Sequence, residues 1–383
     1  AVASGGIGPS KDDFLGTLRG RLQAELGIDP ARVVVNASHC HGVTCADVGE
    51  RAFHAVREAA AALVPVRIGA GSGSEDRIMQ NRRLRLKDGR EADVRHAYAL
   101  PPDDEIVGLG PVDPEIGLLR IDRLDGSTLA VVFNFACHPI LGVPSGRNTA
   151  DLAGFAARVI EENLGEGTVA LFIQGCAGDV NPVFYKAVDR PRDAETLGNR
   201  LGLSTLKALR QVRTHDDARL QSVREIVPLP RANFTRRIAA LETEQARLVR
   251  ALKGTSLNLK TFLPLVVKYG LAPQFPSYTA DGYLGERSRN RDDLSHLDAE
   301  NRANMSAYIE NIHVMEELTR VQTNLELLRK HQADNAAAGK PTVDAELTAL
   351  RVGDFVLTTF PGELTVQIGL NIKKASPHPR TFV

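Results

Sequence analysis

The chain has 383 residues, of which 43% are hydrophobic and 25% are charged, the composition of a globular protein with a sizeable core. Lysine plus arginine and aspartate plus glutamate each total 47, so the formal net charge is zero. Balanced charge without a long basic block argues against nucleic acid as the principal partner. The longest apolar stretches, 129–136 and 169–173, are too short for a transmembrane segment.

The first third of the chain alternates helical and extended patterns. Leu15, Leu18 and Leu22 recur at helical spacing, and the three consecutive valines after Arg32 are typical of a strand. In chain order the pattern predicts a helix (9–26), a strand (33–37), a helix (47–63), a short strand (66–69), a turn (71–74) and a polar stretch of loops and short strands (81–114).

From residue 117 the alternation resumes. The pattern predicts a hairpin (117–123 and 128–137), a helix (151–164), a strand (168–173), a helix (193–213), a strand (222–229), a second hairpin (346–360) and a helix (364–374). Such alternation predicts an α/β fold, namely an open mixed sheet flanked by helices. Ligands of these sheets bind beyond the carboxyl ends of the strands.

Residues 233–338 have a different character. Apolar residues recur at helical spacing at both ends of this stretch, and prolines lie between them. The sequence therefore predicts an α/β domain formed by 1–230 and 340–383, with a helical hairpin inserted at 231–339. Arginine and glutamate surround the apolar stripe, which favours protein packing over a membrane face. We expect the hairpin to act as a lid or as the contact of a homo-oligomer.

Ligand-type residues follow the ends of three predicted strands. His39 and His41 follow the first strand, and alternate residues of an extended segment share one face. His138 follows the strand of the first hairpin, and Glu363 follows the second hairpin. Two histidines and a glutamate from separate strand ends suit an open zinc site. Each residue also has an ordinary structural interpretation, such as a strand cap for His138 or a favourable helix-dipole contact for Glu363.

The turn Gly178-Asp179-Val180-Asn181 follows the buried strand 168–173. A Gly-Asp turn lets backbone donors approach a substrate, so we expect Asp179 and Asn181 beside the reacting carbonyl. Both residue types are also common in turns that have no catalytic role.

Five motifs stand in a characteristic order along the chain, and the sequence between them adds a sixth feature, Asn81-Arg82. They are Ser38-His39-Cys40-His41-Gly42, Asn134-Phe135-Ala136-Cys137-His138-Pro139, Ala150-Asp151-Leu152-Ala153-Gly154, Gln174-Gly175-Cys176-Ala177-Gly178-Asp179-Val180-Asn181-Pro182 and Pro361-Gly362-Glu363. In this order they resemble the neutral (non-lysosomal) ceramidase family, in its smaller bacterial branch. Members of that family are zinc amidohydrolases that split the amide of N-acylsphingosines.

The resemblance implies a zinc ion bound by His39, His138 and Glu363. It places His41 beside the metal as a catalytic residue and gives Arg82 a contact with substrate. It implies hydrolysis of an N-acyl amide, ceramide or a related lipid, by a metal-activated water. A role in sphingolipid metabolism and a secreted or periplasmic location follow from the resemblance alone.

Two features depart from the family pattern. The family's tyrosine ligand falls past Val383, and the chain opens without an initiator methionine, so we expect further sequence at both ends. Asn181 stands where the enzymes proven on ceramide carry a serine. A side-chain amide is not a nucleophile, so Asn181 is expected to donate a hydrogen bond to the oxyanion instead.

Two other functions fit the residues. The chain could be a non-catalytic, metal-containing protein of the same fold that binds or assembles through its hairpin. A cysteine hydrolase using Cys40 or Cys176 is weaker, because no histidine has a sequence-defined reason to activate either thiol. Buried thiols and a Cys40–Cys45 disulfide both fit the spacing of these cysteines.

Overall fold

The structure is a computed structural model that describes residues 13–42, 45–94, 100–142, 149–185, 187, 189–190, 192–276 and 280–383. The chain divides into two compact units. The first unit comprises Ala1–Asp93, Asp103–Leu229 and Asp344–Val383, and the second comprises Val94–Pro102 and Pro230–Val343. The domain boundaries predicted at 230/231 and 339/340 stay a prediction.

Helices and strands alternate through the first unit. Before the second unit they are α1 (Phe14–Leu26), α2 (Val48–Ala61), β1 (Val66–Ser74), β2 (Met79–Asn81), β3 (Arg83–Leu86), β4 (Glu91–Asp93), β5 (Ile106–Leu109), β6 (Glu115–Arg123), β7 (Thr128–Phe135), α3 (Asp151–Leu164), β8 (Val169–Gln174), β9 (Val180–Pro182), α4 (Ala194–Leu209) and β10 (Leu220–Pro230). The second unit contains α5 (Thr235–Ala251), α6 (Leu259–Leu271), α7 (Ala280–Ser288) and α8 (Asp293–Ala337). The chain then forms β11 (Thr342–Val352), β12 (Phe355–Thr359), α9 (Val366–Ala375) and β13 (Thr381–Phe382).

Among the described residues, the strands of the first unit form two four-stranded mixed sheets and two small ones, with the orders β2-β9 and β4-β3-β5. In the first sheet the order is β1-β6-β7-β8, with antiparallel pairs except for the parallel pair β7 and β8. In the second sheet the order is β10-β11-β12-β13, and β13 runs parallel to β12. The predicted α/β class is confirmed. The division into two sheets was not predicted, because it depends on the pairing of β10 with β11, which are far apart in sequence.

The first sheet buries both of its faces, as the alternation of side chains along a strand allows. Leu118 and Phe133 pack on one face against Ile160 of α3 and other residues of α3 and α4. The next residue of β6, Leu119, points to the opposite face and packs with Phe355 of the second sheet. The unit is therefore layered, with α3 and α4 on one side of the first sheet and the second sheet on the other.

Two local predictions are wrong. Residues 33–37 do not form a strand. The valines favour extended backbone, but no strand in the described part of the chain pairs with them. Instead, the Val33 N–H closes a 3-10 turn onto Pro30, and the Val33 carbonyl accepts from Arg19. The predicted turn at 71–74 continues β1, because Gly73 lets Ala208 of α4 approach where a side chain would clash.

The second unit is built along α8, a helix of 45 residues. Leu248 of α5 packs with Val321 and Leu325 of α8 in a small apolar core. The proline-containing stretch between the two predicted helices forms α6 and α7, with Pro264 inside α6. Among the residues that the structure describes, no helix has the length and apolar character to cross a bilayer.

Candidate metal centre

The candidate site lies at the carboxyl ends of β7 and β8. These strands are parallel, so the segments that follow them emerge at the same edge of the sheet. His138 follows β7, and its backbone N–H donates to the carbonyl of Val180 at 3.1 Å. The Gly175 N–H, directly after β8, donates to the carbonyl of Phe135 at 2.9 Å. The second bond joins the ends of β7 and β8, and the first joins the segment after β7 to the start of β9.

Four side chains converge at this edge. One ligand-type atom from each of His39, His41, His138 and Glu363 lies within 4.8 Å of all the others. Nε2 of His39 lies 2.8 Å from Oε1 of Glu363 and 3.4 Å from Nε2 of His41. The His39 ring also packs edge-on against the His138 ring, with centroids 4.7 Å apart. The structure therefore brings together the three predicted ligands and the predicted neighbour His41.

His39 and His41 meet by a geometry that the sequence did not predict. They do not lie on an extended strand, because His39 adopts a left-handed backbone conformation with φ of +58°. Such a conformation costs a residue other than glycine about 1–2 kcal/mol. The alternation argument for these two residues is therefore wrong, although the rings do lie together. Strain of this kind is common at functional sites.

His138 is the buried member of the cluster. Only 2% of the residue is exposed, and its Nδ1 lies 3.0 Å from the Val180 carbonyl. A carbonyl accepts only, so Nδ1 carries the proton and Nε2 keeps a free lone pair. Burial, followed by the nearby charge of His39, lowers the pKa of His138 to about 4. The imidazole is therefore neutral near pH 7, as a metal ligand must be.

Glu363 is partly exposed, and the turn after β8 holds its segment in place. The Gly178 N–H donates to the Leu364 carbonyl at 2.8 Å. A Cβ on Gly178 would lie 2.9 Å from that oxygen and 3.1 Å from the carbonyl oxygen of Glu363, so only glycine permits this approach. The Gly178 N–H is thus engaged by the Leu364 carbonyl, and a contact between other backbone donors of this turn and the oxyanion stays a prediction.

The carboxylate of Asp179 has a related role. It is buried, and its Oδ1 accepts the Val366 N–H at 2.8 Å. Val366 is the first residue of α9, and the residue before it, Thr365, makes no side-chain cap. Asp179 therefore caps α9 from a distant part of the chain and fixes the segment that carries Glu363. The predicted place of Asp179 beside the reacting carbonyl stays a prediction.

Arg82 and Asn181 lie behind the cluster and are both buried. The Arg82 side chain donates from Nη2 to the Gly178 carbonyl at 2.5 Å, and its backbone N–H donates to the Asp179 carbonyl at 2.8 Å. Arg82 thus supports the turn, and its contact with substrate stays a prediction. Asn181 sits in β9, where its Oδ1 has no hydrogen-bond partner among the described residues.

The cysteines do not form a nucleophilic site. All four are free thiols in the described chain, so Cys40 and Cys45 are not bonded as a disulfide. Burial raises the pKa of the Cys176 thiol to about 11 and also raises that of Cys40. Both are therefore protonated and weakly nucleophilic near pH 7. These findings speak against the cysteine-hydrolase alternative.

The donor set fits a zinc ion. Zinc favours imidazole and carboxylate ligands at about 2.0–2.2 Å in tetrahedral geometry, which places ligand atoms roughly 3.4 Å apart. The ligand-type atoms of His39 and Glu363 lie 2.8 Å apart, and that of His138 lies within 4.8 Å of both, a spacing that one ion could bridge with small side-chain adjustments. Three backbone groups that hold the site in place could not be predicted from the sequence, because any residue type can supply a backbone contact. They are the Val180 carbonyl, the Leu364 carbonyl and the Val366 N–H.

The sequence matches no protein-family model and no curated protein. The structure resembles the crystal structure of neutral ceramidase from Pseudomonas aeruginosa, with a TM-score of 0.53 and 16% identity. It also resembles a ceramidase complexed with C2, with a TM-score of 0.52 and 17% identity. Each similarity covers 94% of this chain and 54% or 55% of the ceramidase, so the chain spans about half their length. At this level of identity the comparison shows a ceramidase-like α/β fold.

Proposed function

We propose that this protein is a zinc-dependent hydrolase of N-acyl amides, with ceramide or a related lipid amide as the substrate class. The observation that carries the proposal is the convergence of His39, His41, His138 and Glu363 at one sheet edge. The likeness of the fold to two solved ceramidases supports amide hydrolysis as the chemistry. The free thiols and their raised pKa values favour this function over a cysteine hydrolase.

His39, His138 and Glu363 would hold the ion. The hydrogen bond from Nδ1 of His138 to the Val180 carbonyl orients the ring, and the Gly178–Asp179 turn orients the segment of Glu363. When bound there, zinc supplies a water activated near pH 7 and polarises the carbonyl of the amide.

His41 is proposed as the proton carrier. It is exposed, unlike His138, and its Nε2 lies 3.4 Å from Nε2 of His39. An imidazole at this position can accept a proton from the attacking water and give it to the departing amine nitrogen. The acyl carbon then keeps the new oxygen, and the products are a carboxylic acid and an amine.

Asn181 is proposed to stabilise the oxyanion through its side-chain N–H group. Asn181 is buried in β9, and its Oδ1 makes no hydrogen bond within the described residues; the proposed donor is the other atom of the amide, Nδ2. Asp179 and Arg82 would act indirectly, by holding the turn and the Glu363 segment. This assignment gives each predicted site residue a role that its contacts permit.

The test is hydrolysis of a panel of N-acyl amides, ceramide among them, by zinc-loaded protein. We expect turnover by the parent chain, and a loss of at least 100-fold in His138→Ala. His54→Ala is the matched control, because His54 is an exposed histidine on α2 outside the cluster. Absence of turnover of any acyl amide or ester, with zinc confirmed in place, would instead favour the non-catalytic binding protein.

A further inference from the structure

Helix α6 presents an apolar face that the second unit does not cover. Its side chains Leu259, Leu263, Val266 and Val267 are all exposed, and so is Leu271 at its end. The spacing of four between Leu259, Leu263 and Val267 places them along one side of the helix. Scattered exposed leucines are normal, but five apolar residues on one short helix form a contiguous patch.

The opposite side of α6 is firmly packed, so the exposure is not a sign of an unfolded helix. The Phe262 ring stacks on Tyr308 of α8 with centroids 4.6 Å apart. The Tyr269 hydroxyl donates to Oδ1 of Asp298 at 2.6 Å. Asn258 caps the helix by accepting the N–H groups of Lys260 and Thr261. The second unit therefore holds α6 in place and leaves its apolar face outward.

The charges around this face have one sign. No aspartate or glutamate occurs from Gln245 to Ala280, whereas this stretch contains five lysine and arginine residues. Two of them are neutralised by acidic residues from outside the stretch, as Arg247 pairs with Glu244 and Lys253 with Glu310. Neither of these two ion pairs involves the lysines of α6 itself, Lys260 and Lys268.

We propose that the outward face of α6 docks on an anionic lipid surface, with its leucines and valines in the acyl boundary and its lysines at the headgroups. An exposed apolar face combined with lysines is the pattern of helices that lie in the plane of a membrane interface. A helix of 13 residues is too short to cross a bilayer, so it would lie on the surface. A second copy is a poorer occupant, because pairing two such faces would bring like charges together.

The inference stands apart from the proposed hydrolysis and is tested without any amide substrate. The full chain is sedimented with vesicles of phosphatidylcholine, alone or mixed with phosphatidylglycerol. We expect binding to the anionic vesicles that weakens as salt rises, because salt screens the attraction of the lysines. The chain has no tryptophan, so Val267→Trp gives a background-free reporter whose emission should shift to the blue on binding.

Substitutions separate the apolar contribution to vesicle binding from the electrostatic one. Leu259→Asp should weaken vesicle binding about tenfold or more, since it replaces an exposed leucine that would enter the lipid by a charge that anionic lipid repels. The double change Lys260→Gln and Lys268→Gln should weaken it roughly 25-fold, at about fivefold for each lysine. Leu124→Asp is the matched control, because Leu124 lies in the β6–β7 turn and is 57% exposed, against 58% for Leu259.

Equal vesicle binding by Leu259→Asp and Leu124→Asp, with both proteins folded by circular dichroism, would overturn the proposal. So would failure of the parent chain to bind anionic vesicles. Concentration-dependent dimers that Leu259→Asp dissociates, without vesicle binding, would assign the face to a second copy. Selective loss of vesicle binding in the α6 variants would support a lipid surface as the occupant.

Discussion

The contact between Asp179 and α9 leads to a prediction that joins stability to metal binding. Asp179→Ala removes the acceptor of the Val366 N–H, which is the buried donor at the start of α9. Leaving such a donor unsatisfied costs about 1–3 kcal/mol. The Asp179 carboxylate also lies 3.4 Å from Nε of the partly exposed Arg83, a pair that adds less than about 1 kcal/mol. A local loss of about 2 kcal/mol is therefore expected.

That loss should appear as faster hydrogen exchange in peptides that cover α9, by roughly 30-fold for a change of about 2 kcal/mol. Zinc affinity should fall about tenfold, because the Glu363 segment loses its support. Asp179→Asn keeps an oxygen acceptor, so its local loss of stability should be about half that of Asp179→Ala. Asp193→Ala is the control, since Asp193 caps α4 in the same way outside the site. Unchanged α9 exchange and zinc affinity in Asp179→Ala would refute the reasoning.

Three further predictions follow from the contacts of the site and of the second unit. His41→Ala should lower the rate of hydrolysis and leave the metal content largely intact. Turnover and metal content of the variant are measured side by side, and loss of stoichiometric metal would make His41 a ligand. Asn181→Ala should reduce kcat by roughly 10²–10³ without abolishing it, as for other single oxyanion donors, and an unchanged kcat would remove that role. Asp298→Asn should destabilise the second unit by about 1–3 kcal/mol, because the carboxylate accepts the hydroxyls of Tyr269 and Tyr283 and the amide has only one oxygen. Its thermal unfolding measures the effect, and unaltered unfolding would contradict it.

Local patterns in the sequence predict those parts of the fold that pair locally. The hairpin of β6 and β7 turns around Asp125-Gly126, and neighbouring strands pair there as the alternation predicts. The valine run at 33–35 shows the limit of strand propensity, because a strand also needs a partner and none of the described strands pairs with this run. The second sheet was not predicted, for a related reason. Its strands β10 and β11 are separated by the whole second unit, and no local signal specifies that pairing.

The site could be predicted by residue type but not by its geometry. Histidine and glutamate after separate strands indicated a metal site, and β7 and β8 do emerge at one edge. The left-handed backbone of His39 and the cap that Asp179 gives to Val366 depend on contacts between distant segments. Sequence alone could not show that Asp179 caps α9, because a Gly-Asp turn has the same residue types whatever its distant contacts.

Metal analysis of the purified full chain tests the central claim most directly, namely that this histidine–glutamate cluster binds zinc. After zinc loading and removal of free metal, the parent protein should retain about one zinc ion per chain. His138→Ala should lose it, because His138 is the proposed buried ligand whose ring the Val180 carbonyl orients, and His54→Ala should keep it. Equal zinc in the parent chain and in His138→Ala, or no zinc in the folded parent, would contradict the account.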